Sequence, residues 1–222
     1  MKWRYIFQNI RKKIKRPIQT NLTVIWIHGA NQSSNSFNYL SEKCNFENEI
    51  FVKYDSSNKF YENLDLIYDQ IGAIERCFLI AHSMGGVYAL HLLKKLNVVG
   101  AVSISTPFNG SRTADWAKFV VPKYQLFKDA GRRSDPIMSG HDINISCTWI
   151  QIVSMTGGVP YHEGPNDGVC TVASMEHRKA DMEIARVATT HFEVMVSPVV
   201  KGIIDETYRR VHMEFNSMTA KR

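Results

Sequence analysis

Phe78-Leu79-Ile80-Ala81-His82-Ser83-Met84-Gly85-Gly86 decides how this chain is read. An apolar run suited to a buried strand meets a serine set among small residues. Val87, Leu90, Leu93 and Leu96 then recur at helical spacing, with Lys94 and Lys95 near the helix end. Strand, tight turn and helix in that order make a nucleophile elbow. The serine sits at the tip of a strained turn. Residues two before and two after it must be small, or the adjoining strand and helix would collide with them; Ala81 and Gly85 hold those positions. Such a turn lifts the Ser83 hydroxyl above the sheet and aims the N–H groups of the helix start toward developing negative charge. A serine before a helix is also an ordinary cap. The preceding strand, the following helix and the partners downstream favour the elbow.

Working outward, residues 22–28, 49–55, 77–81, 98–105, 148–154 and 182–189 read as strands. Residues 33–43 suggest a short polar-capped helix, and Phe60, Leu64, Ile67, Ile71 and Ile74 mark an amphipathic one. Val199, Val200, Ile203, Ile204, Tyr208 and Val211 form a last helix with Pro198 in its first turn. Apolar strands separated by helices imply a doubly wound α/β fold, with about six mostly parallel strands and helices on both faces. At 222 residues the chain is long enough for one full core. The boundaries read as a basic arm over 1–21, one domain over 22–215 and a tail over 216–222.

The net charge of +6 is concentrated. Residues 1–20 carry Lys2, Arg4, Arg11, Lys12, Lys13, Lys15 and Arg16 and no acid, whereas the remainder has 20 basic and 21 acidic residues. Such an arm could touch an anionic membrane surface. Nucleic acid is not an expected partner, and a solvated tail or edge strand is the plainer reading. No signal peptide or membrane-spanning apolar run is visible, so the sequence reads as cytoplasmic, or peripheral at a membrane. Cys44, Cys77, Cys147 and Cys170 are widely spaced and read as reduced core residues. The histidines and carboxylates show no metal-ligand spacing, and neither metal nor cofactor is expected.

Candidate chemistry falls at the carboxyl ends of these strands, where ligands bind in such folds. A serine hydroxyl needs a base to take its proton, and the base needs an oriented partner. His191 follows the last strand and precedes the final helix, where a loop can carry an imidazole over the elbow. His82 adjoins the serine but would project away from its hydroxyl, and His28 reads as a turn-shaping residue. The acid is expected between serine and histidine. Asp167, in Pro165-Asn166-Asp167-Gly168-Val169, sits in a turn that Gly168 lets reverse; Asp115 and Asp142 are rivals. The oxyanion donors would be the backbone N–H of Met84 and that of Ala30, with Asn31 the alternative.

With Ile27-His28-Gly29, Ala81-His82-Ser83-Met84-Gly85-Gly86, Ser105-Thr106-Pro107-Phe108-Asn109-Gly110-Ser111, Asn166-Asp167-Gly168-Val169 and His191 in hand, the chain resembles the α/β-hydrolase superfamily. Within it, the likeness is to the lipase-like branch of bacterial triacylglycerol lipases and GPI-inositol-deacylase-like proteins. The matching pieces span residues 22 to about 215. The resemblance implies Ser83, Asp167 and His191 as a triad cleaving a carboxylic ester through an acyl-enzyme. Ala81 stands where glycine is commoner, and the first antiparallel strands of larger relatives are missing, as in minimal versions of the fold.

Residues 108–144 are longer than a simple crossover helix needs. Phe108, Trp116 and Phe119 would line an acyl-binding wall or lid there, giving an aliphatic acyl or lipid ester as substrate. The alternative is an ordinary amphipathic helix packed on the sheet. Other activities on the same triad are thioester cleavage, amide cleavage or acyl transfer. From a different class, a hydrolase fold could bind a partner without catalysis.

Overall fold

The computed structural model describes residues 22–115, 125–160, 162 and 164–219. The basic arm, residues 116–124 of the expected lid segment and the last three residues lie outside them.

Among the described residues six strands form one sheet: β1 (Thr23–Ile27), β2 (Glu49–Phe51), β3 (Cys77–His82), β4 (Val98–Ile104), β5 (Thr148–Ser154) and β6 (Glu183–Val187). Their order is β2-β1-β3-β4-β5-β6, and every neighbouring pair is parallel. Among the described residues the sheet is thus the parallel one expected. β1 and β3 are buried at every position, as strands covered on both faces must be. Their alternate residues divide between two cores. Ile25, Ile27, Leu79 and Ala81 pack with Phe60, Leu64, Ile67 and Ile71 and with Val87 and Leu90. Val24, Trp26, Phe78 and Ile80 face Leu40, Val200, Ile204 and Val211 on the other side.

The helices supplying those residues are α1 (Asn38–Cys44), α2 (Phe60–Ile71), α3 (Met84–Leu92) and, beyond the shorter α4 (Gln125–Asp129), α5 (Asp135–His141) and α6 (Val172–Met175), α7 (Pro198–Thr219). The domain end expected at 215 falls inside α7. No helix among the described residues is long and apolar enough to cross a membrane.

Several elements are shorter than their sequence patterns. β2 ends at Phe51 because the Lys53 backbone turns to a side chain: its N–H donates to Gln70 Oε1 at 2.9 Å, and Gln70 Nε2 donates to its carbonyl at 2.9 Å. The expected 33–43 helix is a 3₁₀ turn (Ser34–Phe37) leading into α1, which stops where Asn45 adopts φ 52°. From β1 the chain moves to the edge strand β2, then returns to β3 and proceeds the other way. The switch point therefore lies between β1 and β3, and a crevice is expected beyond His28 and His82.

Candidate active site

Ser83 caps α3 with φ 53° and ψ −126°, a conformation that L-residues rarely adopt. Its N–H donates to the Ile104 carbonyl at 2.8 Å, which ties the turn to β4. Gly85 shows why the next turn must be bare. A Cβ there would stand 2.2 Å from the Ile27 carbonyl oxygen and 2.6 Å from that of His28. The start of α3 thus lies directly on the end of β1, and the elbow comes close to the loop holding Gly29 and Ala30.

His191, 2 % exposed, reaches the elbow from the loop after β6, and its Nε2 lies 3.0 Å from Ser83 Oγ. Its Nδ1 lies 2.7 Å from Asp167 Oδ2. The carboxylate only accepts, so Nδ1 carries the proton and Nε2 offers its lone pair to the serine hydroxyl. The His191 backbone is held on both sides: its N–H donates to the Asp167 carbonyl at 3.0 Å, and its carbonyl meets Nε2 of His82, at the end of β3, at 3.0 Å.

Asp167 is 1 % exposed yet fully bonded. Oδ1 accepts the N–H groups of Val169 at 3.0 Å and Cys170 at 2.7 Å; Oδ2 accepts the Ser154 hydroxyl at 2.5 Å besides His191. Burial alone would raise this carboxyl. The hydrogen bond and charge of His191, with the Ser154 and Cys170 donors, outweigh burial and hold it below the usual carboxylate range. Ser154 donates its one proton to Asp167, so Ser105 donates to Ser154 across 2.7 Å. Ser105 also has a positive φ, 52°. Asn166 clasps the Asp167 turn: Oδ1 accepts from Val159 and Gly168, and Nδ2 donates to the carbonyls of Val159 and Gly164. Gly168 has φ 97°, the reversal its sequence suggested.

The rivals lie elsewhere. Asp115 accepts the Arg132 N–H at 3.1 Å, and Asp142 is an exposed residue ending α5. His28 is buried, with Nδ1 2.8 Å from the Gly29 carbonyl and its ring stacked on Tyr54. Ala30 and Met84 line one cleft together with Tyr54, Ser56, Tyr88, Leu126 and Asp129. Asn31, the alternative donor, gives its N–H to Ser56 Oγ at 2.9 Å. The N–H groups of Ala30 and Met84 donate to no group among the described residues, and Met84 opens a helix whose first N–H groups lack intrahelical acceptors.

Phe108 is 2 % exposed and packs edge-on against Trp149 in the core, so it does not line that cleft. Burial of its ring beneath the rim answers for its apolar character. Trp116 and Phe119 lie outside the described residues. All four cysteines are free; Cys77 and Cys170 are buried and Cys44 and Cys147 partly so. Among the described residues one trio, Asp167, Cys170 and His191, brings metal-ligand atoms within 4.8 Å of one another. Two of the three are already hydrogen-bonded to each other.

Sequence reasoning missed Ser105, Ser154 and Gln32, and read His82 only as projecting away from the serine hydroxyl. Serines at the carboxyl ends of two strands, Ser105 just after β4 and Ser154 the last residue of β5, were the available signal for those two.

No protein-family model matches the chain, and no curated protein does. Solved structures do. A lipase-esterase related protein from Clostridium acetobutylicum aligns at 22 % identity and TM-score 0.57, covering 85 % of this chain and 93 % of that one. A haloalkane dehalogenase variant from Bradyrhizobium elkanii aligns at 12 % identity and TM-score 0.63, covering 90 % and 93 %. A carboxylesterase structure from the thaumarchaeon Nitrososphaera gargenis aligns at 12 % and TM-score 0.57, covering 91 % and 92 %. The chain has the α/β-hydrolase fold. Esterases and a dehalogenase share it, so the reaction must be argued from the site.

Proposed function

We propose that this protein is a serine hydrolase that cleaves carboxylic esters through an acyl-enzyme, with Ser83 as nucleophile, His191 as base and Asp167 as its orienting acid. One observation carries the reading: an unbroken line from Ser83 Oγ through His191, at 3.0 Å and 2.7 Å, to a buried carboxylate held anionic. A strained serine alone could be a cap. A strained serine bonded to a carboxylate-held imidazole fits acyl transfer.

In the first half-reaction Ser83 Oγ attacks the carbonyl carbon while its proton passes to His191 Nε2. The carbonyl oxygen becomes an oxyanion, and the unengaged N–H groups of Ala30 and Met84 are its donors. As the bond to the leaving oxygen breaks, His191 returns the proton to that oxygen and the alcohol departs. Water then attacks the acyl carbon, giving a proton to the same nitrogen, and collapse returns it to Ser83. Asp167 holds the Nδ1 proton throughout and stabilises the imidazolium formed twice in the cycle.

The cleft beside the two donors combines Tyr54, Tyr88, Ser56 and Asp129 with the apolar side chains of Ala30, Met84 and Leu126. That mixture supports short acyl esters as first substrates; contact of a lipid surface with the basic arm remains a separate expectation. Purified protein should hydrolyse short or medium acyl esters, and Ser83→Ala should lower kcat by about 10⁴-fold or more. Equal turnover by the variant would refute the reading.

A further inference from the structure

His82 is 0 % exposed and touches two catalytic loops at once. Its Nε2 lies 3.0 Å from the backbone carbonyl of His191, and the two rings are 4.9 Å apart. Its Nδ1 lies 3.0 Å from Gln32 Oε1, and that oxygen accepts the Gly29 N–H at 3.2 Å. A chain of side-chain contacts therefore runs from the loop after β1, through Gln32 and the residue preceding the nucleophile, to the loop after β6. Gly29 sits directly before Ala30, and a Cβ on it would stand 3.0 Å from Ser83 Cβ.

Proton arithmetic sharpens this. A backbone carbonyl can only accept, so Nε2 must carry the proton in its contact with His191. Burial first, and the nearby charge of His191 second, push the His82 pKa down to about 3, so the ring holds one proton. Nδ1 is then a lone pair. Gln32 satisfies it by turning its amide N–H to the ring, or satisfies Gly29 by turning its oxygen, but one face cannot do both. The proton on Nε2 is committed to His191 in either orientation.

We propose that His82 is a positioning residue: its Nε2–H anchors the His191 backbone and so sets the imidazole against Ser83 and Asp167, with Gln32 packed between its ring and the loop after β1. The inference rests on the serine-hydrolase reading above. His82 touches no reacting atom. Displacing a reacting group by about 1 Å costs up to about 10²-fold in rate, which is the effect an anchor of the base should have.

The test compares His82→Met, which fills the space without a donor, with His82→Gln, whose amide can restore an N–H toward the His191 carbonyl. Labelling of Ser83 by a fluorophosphonate, ester turnover, and the far-downfield proton resonance of the His191 Nδ1–H bonded to Asp167 would be read on folded protein. For His82→Met we expect kcat and labelling rate about 10–100-fold lower, KM within about twofold, and a shifted or broadened resonance. His82→Gln should recover most of the loss. Wild-type rate and resonance in His82→Met would overturn the proposal, as would equal losses in the two variants, since the ring would then serve packing alone. If His82→Met does not fold, Gln32→Leu carries the test: a severalfold slower rate supports the chain of contacts, and an unchanged rate refutes it. Wild-type protein that neither labels nor turns over ester refutes the hydrolase reading itself, while the resonance still tests whether His82 holds His191.

Discussion

Ser83 holds its hydroxyl on a backbone conformation that most residues avoid, and the fold buries several imidazoles. His28, His82 and His91 are each 4 % exposed or less, and burial is the leading cause that lowers all three. This makes acid sensitivity calculable in sign. An unfolded imidazole takes up a proton below about pH 6.5. A histidine held neutral in the fold does not, so the unfolded state binds more protons and stability falls as pH falls. The slope is about 1.4 kcal/mol per pH unit for each fully neutral histidine. For His82 the loss continues from 6.5 down toward about 3. Asp167 is depressed from 3.8, so its contribution is intact above that value and disappears only below it. Urea unfolding between pH 6 and 4.5 thus senses the histidines without Asp167. His82→Gln should flatten that slope by about one proton; an unchanged slope would mean that His82 is already charged in the folded protein.

The elbow depends on two elements meeting without side chains between them. β3 delivers Ser83, α3 begins at once, and Gly85 lets α3 rest on the carbonyl end of β1. Gly85→Ala must therefore push backbone against backbone. We expect it to cost at the upper end of about 1–3 kcal/mol, read as a lower denaturation midpoint, with ester turnover reduced as the Ala30 and Met84 donors separate. Wild-type stability would mean that α3 can shift freely. Element by element, the sheet was legible because its central strands are apolar throughout and its helices carry 3.6-residue spacing. Ser83, Gly168 and His191 were legible because strained turns and strand ends favour particular residues. What escaped depends on register. Ser105 and Ser154 become neighbours only because β4 and β5 pair in parallel, Ile104 opposite Ile152. Gln32 reaches His82 from fifty positions away, and no local pattern announces that. Phe108 misled for the opposite reason, since an apolar residue at the rim reads equally as pocket wall and as core.

The residues of the proposed site lie where the sheet changes winding direction, between β1 and β3. Loops after four strands contribute: β1 supplies Ala30, β3 Ser83, β5 the turn with Asp167, and β6 His191. Polar contacts behind them run from Ser105 through Ser154 to Asp167 and from the His82 ring to the His191 carbonyl. Structural likeness to esterases and to a dehalogenase establishes the scaffold, and only the side chains on this rim distinguish one chemistry from another. The decisive measurement is covalent: incubate folded protein with a fluorophosphonate and map the modified residue by mass spectrometry. The account expects a single phosphonyl group on Ser83, with labelling slowed by orders of magnitude in His191→Ala. Folded protein that takes no label, or takes it at another residue, would contradict it.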